Sequence, residues 1–288
     1  MHKKKLIVVV GPTAVGKTAF SLQLADQYRT SIISADSRQC FKELNIGVAK
    51  PSSDELNRIR HYFIDSHSVR EEMNAAIFSD LASHWTAEIF SENDTAVMVG
   101  GTGLYIKAFC EGLDAVPGSN EKIRNEIKLQ YKDKGIDWLQ QEVREKDPEF
   151  FARGEIRNPQ RMMRALEVIL STGKSILSFR NSLPVKHPFE IQKIGISLPA
   201  HQLRQNIDFR VDKMMERGLL EEVRRLLPNR NLNALQTVGY KELFGFLDDV
   251  FPLEEAVNKI KKNTWQYARR QLTWFRKDPS ILWQEPGL

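Results

Sequence analysis

The stretch Gly11-Pro12-Thr13-Ala14-Val15-Gly16-Lys17-Thr18 constrains the architecture of this chain more than any other, because it fits G-x-x-x-x-G-K-[ST]. It follows the apolar run Leu6 to Val10 and opens "GKTAFSLQLADQY", where Phe20, Leu24 and Ala25 recur at helical spacing. Strand, glycine turn and helix in that order make a phosphate cradle. The glycines let backbone N–H groups close around phosphate oxygens, and the helix N-terminus adds positive potential. Lys17 is placed to contact the outer phosphate, and the Thr18 hydroxyl to ligate or orient Mg²⁺. Such a cradle recognises phosphate oxygens only, so what carries the phosphate has to be read from the rest of the chain.

Around the cradle the opening third alternates strand and helix. "TSIISADS" reads as a second strand ending in polar residues, and "TAVMVGGTGLYIKAFCEG" as a third strand, a glycine turn and a helix. From about Pro117 the chain becomes charged and helical, almost without strand signals, until "EIQKIGISLPA" restores a strand pattern and long helices follow. These runs predict an α/β fold: a P-loop NTPase-like parallel sheet core with helices on both faces and an inserted all-helical domain. The core is expected to take residues 1–114 and 191–288, with its last strand after the insertion, and the insertion residues 115–190. No repeat or low-complexity tract is visible.

The chain has 288 residues, enough for a substantial apolar core, and no apolar run reaches a membrane span of about 20 residues. "MHKKKLIVVVGP" is basic then apolar, as a secretory signal would be, but the apolar run is too short and no cleavage pattern follows. A cytoplasmic protein with no membrane partner is expected. Cys40 and Cys110 are few enough to suit a reducing compartment and read as idle buried thiols. The net charge of +5 leans weakly towards a polyanionic partner.

Asp36 falls just past the end of the second strand, where ligands of open α/β sheets collect. A carboxylate there can be a metal ligand, a general base or a turn-capping residue. It stands in a wider pattern. "ISADSRQ…NIGVAKP", "VGGTGLYIKA", "RNPQRMMRALEV" and "YARRQLTWFRKD", in this order after an N-terminal cradle, closely resemble the tRNA dimethylallyltransferases, or isopentenyltransferases. The matches span nearly the whole chain, and "GGTGLY" with "RRQLTWF" is far more specific than the cradle.

The resemblance implies that the cradle holds the pyrophosphate of dimethylallyl diphosphate, and that the prenyl group goes to N6 of an adenine beside the anticodon. Allylic diphosphates react through a loose, cation-like transition state, so Lys17, the loop amides and Mg²⁺ suit the departing pyrophosphate. The adenine amine must shed a proton, and Asp36 is the natural acceptor. The resemblance gives Thr102 a contact with tRNA, with proximity to the diphosphate or service to its own turn left open. It places Arg210 near the diphosphate, though on its own terms Arg210 also reads as a solvated helix charge.

The expected partner is the anticodon stem-loop of a tRNA, bound by a monomer. Pro159 suits a helix start, and Met162, Met163, Leu166, Ile169 and Leu170 supply a buried stripe. Arg157, Arg161 and Arg164 share a face if the helix reaches back that far. By likeness Gln160, Arg161, Met162, Met163 and Arg164 contact RNA, as does Arg124. Asp36, Ser37, Arg38 and Gln39 would line the pocket for the extruded adenine. "NKIKKNTWQYARRQLTWFRKD" mixes basic residues with Trp265, Tyr267, Trp274 and Phe275, of which more should pack inward than stack on bases.

Some positions depart from the family pattern. Gln39-Cys40-Phe41 stands where a tyrosine is expected, Val48 where threonine is usual, "HYFID" where "HHLID" is common, and Trp265 at a site often basic. No proposed catalytic group is lost. A small-molecule kinase is the competing class, with the insertion as its lid. Against it stands the basic helical C-terminus. A non-catalytic RNA-binding protein would not need the cradle and Asp36 together.

Overall fold

The computed structural model describes residues 3–180 and 185–286. Six strands, β1 (Lys5–Val10), β2 (Ile32–Ser34), β3 (His61–Tyr62), β4 (Thr95–Gly100), β5 (Glu190–Ile196) and β6 (Ile281–Gln284), pair in parallel throughout, in the order β3-β2-β4-β1-β5-β6. β1 is central, so both its edges and both its faces are covered, and its run from Leu6 to Val10 is buried without alternation. The chain divides into two compact units, Met1–Glu111 with Lys186–Leu288, and Gly112–Val185.

In the sheet unit, α1 (Lys17–Tyr28), α2 (Ser53–Arg58), α3 (Ala75–Glu92) and α4 (Gly103–Glu111) alternate with the first strands. The helical unit holds α5 (Glu121–Lys146), α6 (Pro148–Arg153) and α7 (Pro159–Thr172). After β5 come α8 (Ala200–Glu216), α9 (Leu219–Arg225), α10 (Tyr240–Leu247) and α11 (Leu253–Phe275). Leu6, Val8 and Val10 pack in one cluster with Phe78 of α3, Tyr105 of α4 and Leu243 of α10. Ile7 and Val9 join another with Phe20 of α1, Leu203 and Ile207 of α8 and Ala268 of α11. The two-residue period of β1 therefore feeds two apolar layers, one on each face of the sheet.

Two strands are additions to the sequence expectation. β3 is only two residues long and shows no periodicity, and β6, not β5, is the last strand, pairing through Lys193 to Ile196. Where the chain leaves the sheet unit after α4 it also returns, since His187 Nε2 lies 3.0 Å from the Phe109 carbonyl oxygen. Both cysteines are buried and free, and burial pushes each thiol up to about 12. No helix among the described residues is long and apolar enough to cross a membrane.

The helical unit has its own core, built from Ile127, Leu139, Val143, Phe150, Met162, Met163, Ala165 and Leu166. α5 breaks at Gly135, whose φ of 77° lies in the left-handed region that favours glycine. Asn158 caps α7 through the Arg161 N–H at 3.3 Å, with Pro159 in the first turn. α7 therefore begins after Arg157, which does not join the arginine face. Leu170, expected in the buried stripe, is 45% exposed, and Val168 and Ala165 take up the apolar face instead.

Candidate active site

The cradle follows from its glycines. Gly11 has a φ of 144°, and a Cβ there would stand 2.4 Å from the Ile196 carbonyl oxygen, so only glycine lets β1 turn beside the end of β5. Gly16, with φ 98°, starts α1 and leaves its first turn without a side-chain cap, open to an anion. Other elements hold the loop from outside. Arg210 of α8 donates to Thr13 Oγ1 at 3.1 Å, and Asn206 donates to the Ala14 carbonyl at 3.2 Å. Lys17 turns back on the loop, donating to the Pro12 carbonyl at 2.6 Å. Burial, with the charge of Arg210 adding and Asp36 opposing, pulls its ammonium down to about 7. An arriving diphosphate would reverse that trend, because opposite charge favours the protonated lysine.

Beyond β2, Asp36 Oδ1 accepts the N–H groups of Arg38 at 2.9 Å and Gln39 at 3.4 Å. The turn-capping role is therefore present, but it uses one oxygen only. Among the described residues no hydrogen-bond donor reaches Oδ2. Gln39 takes a hydrogen bond from Ser34 Oγ at 3.2 Å and donates to the carbonyls of Val48 and Ala49 at 3.3 and 3.1 Å.

Two cavities flank this carboxylate. One, of about 530 Å³, is lined by the cradle from Thr13 to Ala19 together with Gln39, Lys213 and Gln271. The other, of about 510 Å³, is lined by Ser37, Arg38, the 47–49 turn and residues of α10 and α11. Thr13, Asp36, Val48, Arg210 and Tyr267 line both. The expected residues thus divide: Lys17, Thr18 and Gln39 on the cradle side, Ser37 and Arg38 on the far side, Asp36 and Arg210 at the junction. Although Tyr267 as a residue is 38% exposed, desolvation of its hydroxyl at the junction, with the negative charge of Asp36 adding, pushes the phenol up to about 12.

Thr102 lies elsewhere. It lines neither cavity; its hydroxyl accepts the Ser37 N–H at 3.0 Å and donates to Ser37 Oγ at 3.3 Å. It holds the turn that carries Asp36, the turn-serving role left open for it by the sequence. The residue missing from the sequence account is Gln271, 7% exposed on α11. It lies on the buried stripe that also carries Ala268 and Phe275, and a glutamine at such a position was the available signal. Phe275 is buried and Trp265 partly so, whereas Tyr267 and Trp274 stay exposed.

For a divalent cation, the exposed Thr18 hydroxyl at the start of α1 is the candidate protein ligand. Among the described residues no group of three or more acidic, histidine or cysteine side chains converges. That donor set suits Mg²⁺, which is commonly held by few protein groups, substrate phosphates and water.

In the helical unit, Met162 is wholly buried and Met163 is 7% exposed. Helical periodicity turns both into that core, and Met163 also lines a small surface recess beside Gln160 and Arg164. Arg161 is exposed and pairs with Glu155. Arg164 bonds to the buried Glu167 at 2.9 Å and to the Pro117 carbonyl. Arg124 donates to Ser119 Oγ at 3.0 Å, and with Gln160 and Arg164 it lines one small surface recess.

The IPP transferase family model matches residues 39–278. A tRNA dimethylallyltransferase of Cytophaga hutchinsonii is 44% identical over 284 residues, covering 99% of this chain and 93% of that protein. One from Christiangramia forsetii is 46% identical over 280 residues, covering 97% and 93%. Among solved structures, the full-length tRNA isopentenylpyrophosphate transferase of Bacillus halodurans superposes with a TM-score of 0.72 at 34% identity, covering 98% of this chain and 90% of that one. A eukaryotic dimethylallyltransferase acting on tRNA gives 0.79 at 26% identity, covering 98% and 74%. With a cradle, a flanking carboxylate and relatives matched along almost its whole length, the chain belongs to the IPP transferase family.

Proposed function

We propose that this protein transfers the dimethylallyl group of dimethylallyl diphosphate to N6 of the adenine 3′ of the anticodon in tRNA, releasing diphosphate. The observation that carries the reading is the pair of cavities meeting at Asp36 and Arg210, with Ala14 to Thr18 of the cradle on one side only. One chamber suits a phosphate-bearing donor, the other an acceptor base, and the carboxylate lies where they join.

The chemistry follows from that placement. The allylic C–O bond breaks, its electrons leave with the diphosphate, and N6 forms a bond to the same carbon. Lys17, the loop amides and Arg210 hold the diphosphate and stabilise the charge that grows on it. Thr18 would hold Mg²⁺, which would supply further charge neutralisation. Asp36 takes the proton from N6 through its unengaged Oδ2. Tyr267, an exposed aromatic at the junction, offers a face against which an unstacked base can rest. The helical unit contributes RNA contacts through Arg124, Gln160, Arg161 and Arg164, and the protein acts as a cytoplasmic monomer.

The experiment is a single assay with unmodified tRNA, labelled dimethylallyl diphosphate and Mg²⁺, run beside ATP. Label entering tRNA at the anticodon-adjacent adenine, without comparable ATP turnover, is the expected result. ATP hydrolysis without prenylation would refute the reading.

A further inference from the structure

The wall of the acceptor-side cavity includes Gly47, Val48 and Ala49, which form a turn outside any strand or helix. One side chain grips this turn from behind. Glu222 of α9 is 2% exposed. Its Oε2 accepts the N–H groups of Asn45 at 3.2 Å and Ile46 at 2.8 Å, and its Oε1 accepts those of Gly47 at 3.1 Å and the Tyr240 hydroxyl at 2.6 Å. The Tyr240 ring occupies the place a side chain at residue 47 would take, since a Cβ there would lie 2.6 Å from it. From the front, Gln39 Nε2 holds the carbonyls of Val48 and Ala49, and the Gln39 N–H reaches Asp36 Oδ1. A line of hydrogen bonds therefore runs from Glu222, through the 45–49 turn and Gln39, to Asp36.

Burying a carboxylate is costly unless donors surround it, and an apolar side chain would serve a core as well. The neighbours of Glu222 on α9, Leu219 and Val223, do serve the core and are fully buried. Glu222 instead aims all its acceptors at a segment whose other side is cavity wall. Val48, in that segment, is among the residues lining both chambers.

We propose that Glu222 is a positioning residue for the transfer reaction. It sets the 45–49 wall against which the acceptor base lies and, through Gln39, the direction of the Asp36 carboxylate. The inference rests on the prenyl-transfer reading given above.

Glu222→Gln preserves volume but turns one acceptor into an NH₂ group, leaving a backbone donor of the turn without its partner. Hydrogen exchange at the amides of Asn45, Ile46 and Gly47 should accelerate about tenfold or more, with α1 amides unchanged. Single-turnover prenyl transfer at saturating substrates should slow between about tenfold and 10²-fold, the scale set by misplaced reacting groups. KM for the prenyl donor should stay at the wild-type value, because none of the groups assigned to the diphosphate (Lys17, the loop amides and Arg210) belongs to the line. Tyr240→Phe removes one of the four donors and should slow transfer less than Glu222→Gln. Faster exchange at the turn with a wild-type transfer rate would overturn the proposal, leaving Glu222 a purely structural anchor. So would unchanged exchange, or a donor KM that rises in step with the fall in rate. A wild-type protein that transfers no prenyl group would sink the reaction itself, a result visible without either variant.

Discussion

Gln271 Oε1 accepts the backbone N–H of Thr13 at 2.8 Å, while Nε2 of the same side chain donates to the Gly101 carbonyl at 2.9 Å. One glutamine of α11 thus ties the loop after β1 to the loop after β4, and those strands are neighbours in the sheet. A Cβ on Gly101 would stand 2.1 Å from Nε2, so glycine at that position makes the tie possible.

Gln271→Ala should leave a buried donor and a buried acceptor without partners, lowering stability by about 1–3 kcal/mol. Because Thr13 lines both chambers, the KM for the prenyl donor should rise as well. Urea unfolding and steady-state kinetics check the two effects separately. A variant with wild-type values of both would reduce the tie to a packing contact.

Asp36→Asn keeps an oxygen for the Arg38 and Gln39 N–H groups, so the turn should survive and tRNA affinity should hold. Loss of a general base slows the chemical step by about 10²–10⁴-fold. Single-turnover rates measure this directly. A variant as fast as wild type would leave Asp36 with its turn-capping role alone.

The arginines of the helical unit should behave differently from one another. Among the described residues the Arg161 side chain pairs with the exposed Glu155, an interaction worth little to stability. Arg161→Ala should leave the fold intact and, if the side chain neutralises a phosphate, lower the log–log salt slope of tRNA binding by about 0.7–0.9. Arg164→Ala removes a partner of the buried Glu167 and should also destabilise the unit, by about 1–3 kcal/mol. Filter binding across salt concentrations, with circular dichroism alongside, separates these outcomes. An unchanged slope for Arg161→Ala would make its face a solvated one.

Lys193 of β5 bonds to Asp278 at 2.6 Å and Glu111 at 3.1 Å. Burial works against the charge of Asp278, but hydrogen bonds from Lys193 and Ser280 hold its carboxyl below the usual range. Burial likewise opposes the charge of Lys193, and its two carboxylate partners raise it regardless. The Asp278 contribution is therefore complete above the ordinary aspartate pKa of about 4 and is lost as pH falls through the depressed value. The Lys193 contribution is complete below about 10.4 and is lost as pH rises through the elevated value. Asp278→Asn should destabilise at pH 7, and its difference from wild type should shrink as pH falls below about 4. Denaturant unfolding at the two pH values tests this.

The placement of the cradle between β1 and α1, and of Asp36 beyond β2, could be read from sequence because apolar run, glycine turn and helical period follow one another at set spacings. Gln271 could not, since its partners lie 258 and 170 positions away and no local pattern links them. β3 and β6 are two and four residues long, too short for a period to register. The bond from the Ser37 N–H to Thr102 Oγ1 was equally hidden, because the two residues lie 65 positions apart. For Met162 and Met163, helical periodicity correctly places both in the apolar core of the unit.

The chain leaves the sheet after α4 and comes back at the same spot, with Phe109 and His187 in contact. A Cβ on Gly112 would likewise come within 2.9 Å of Val185, so the two ends of the helical unit lie side by side. An insertion whose ends meet can be lengthened, shortened or exchanged without rerouting any strand. Evolution could therefore rework the inserted unit while the sheet with its cradle is inherited unchanged, and engineers could graft a foreign module at the same junction.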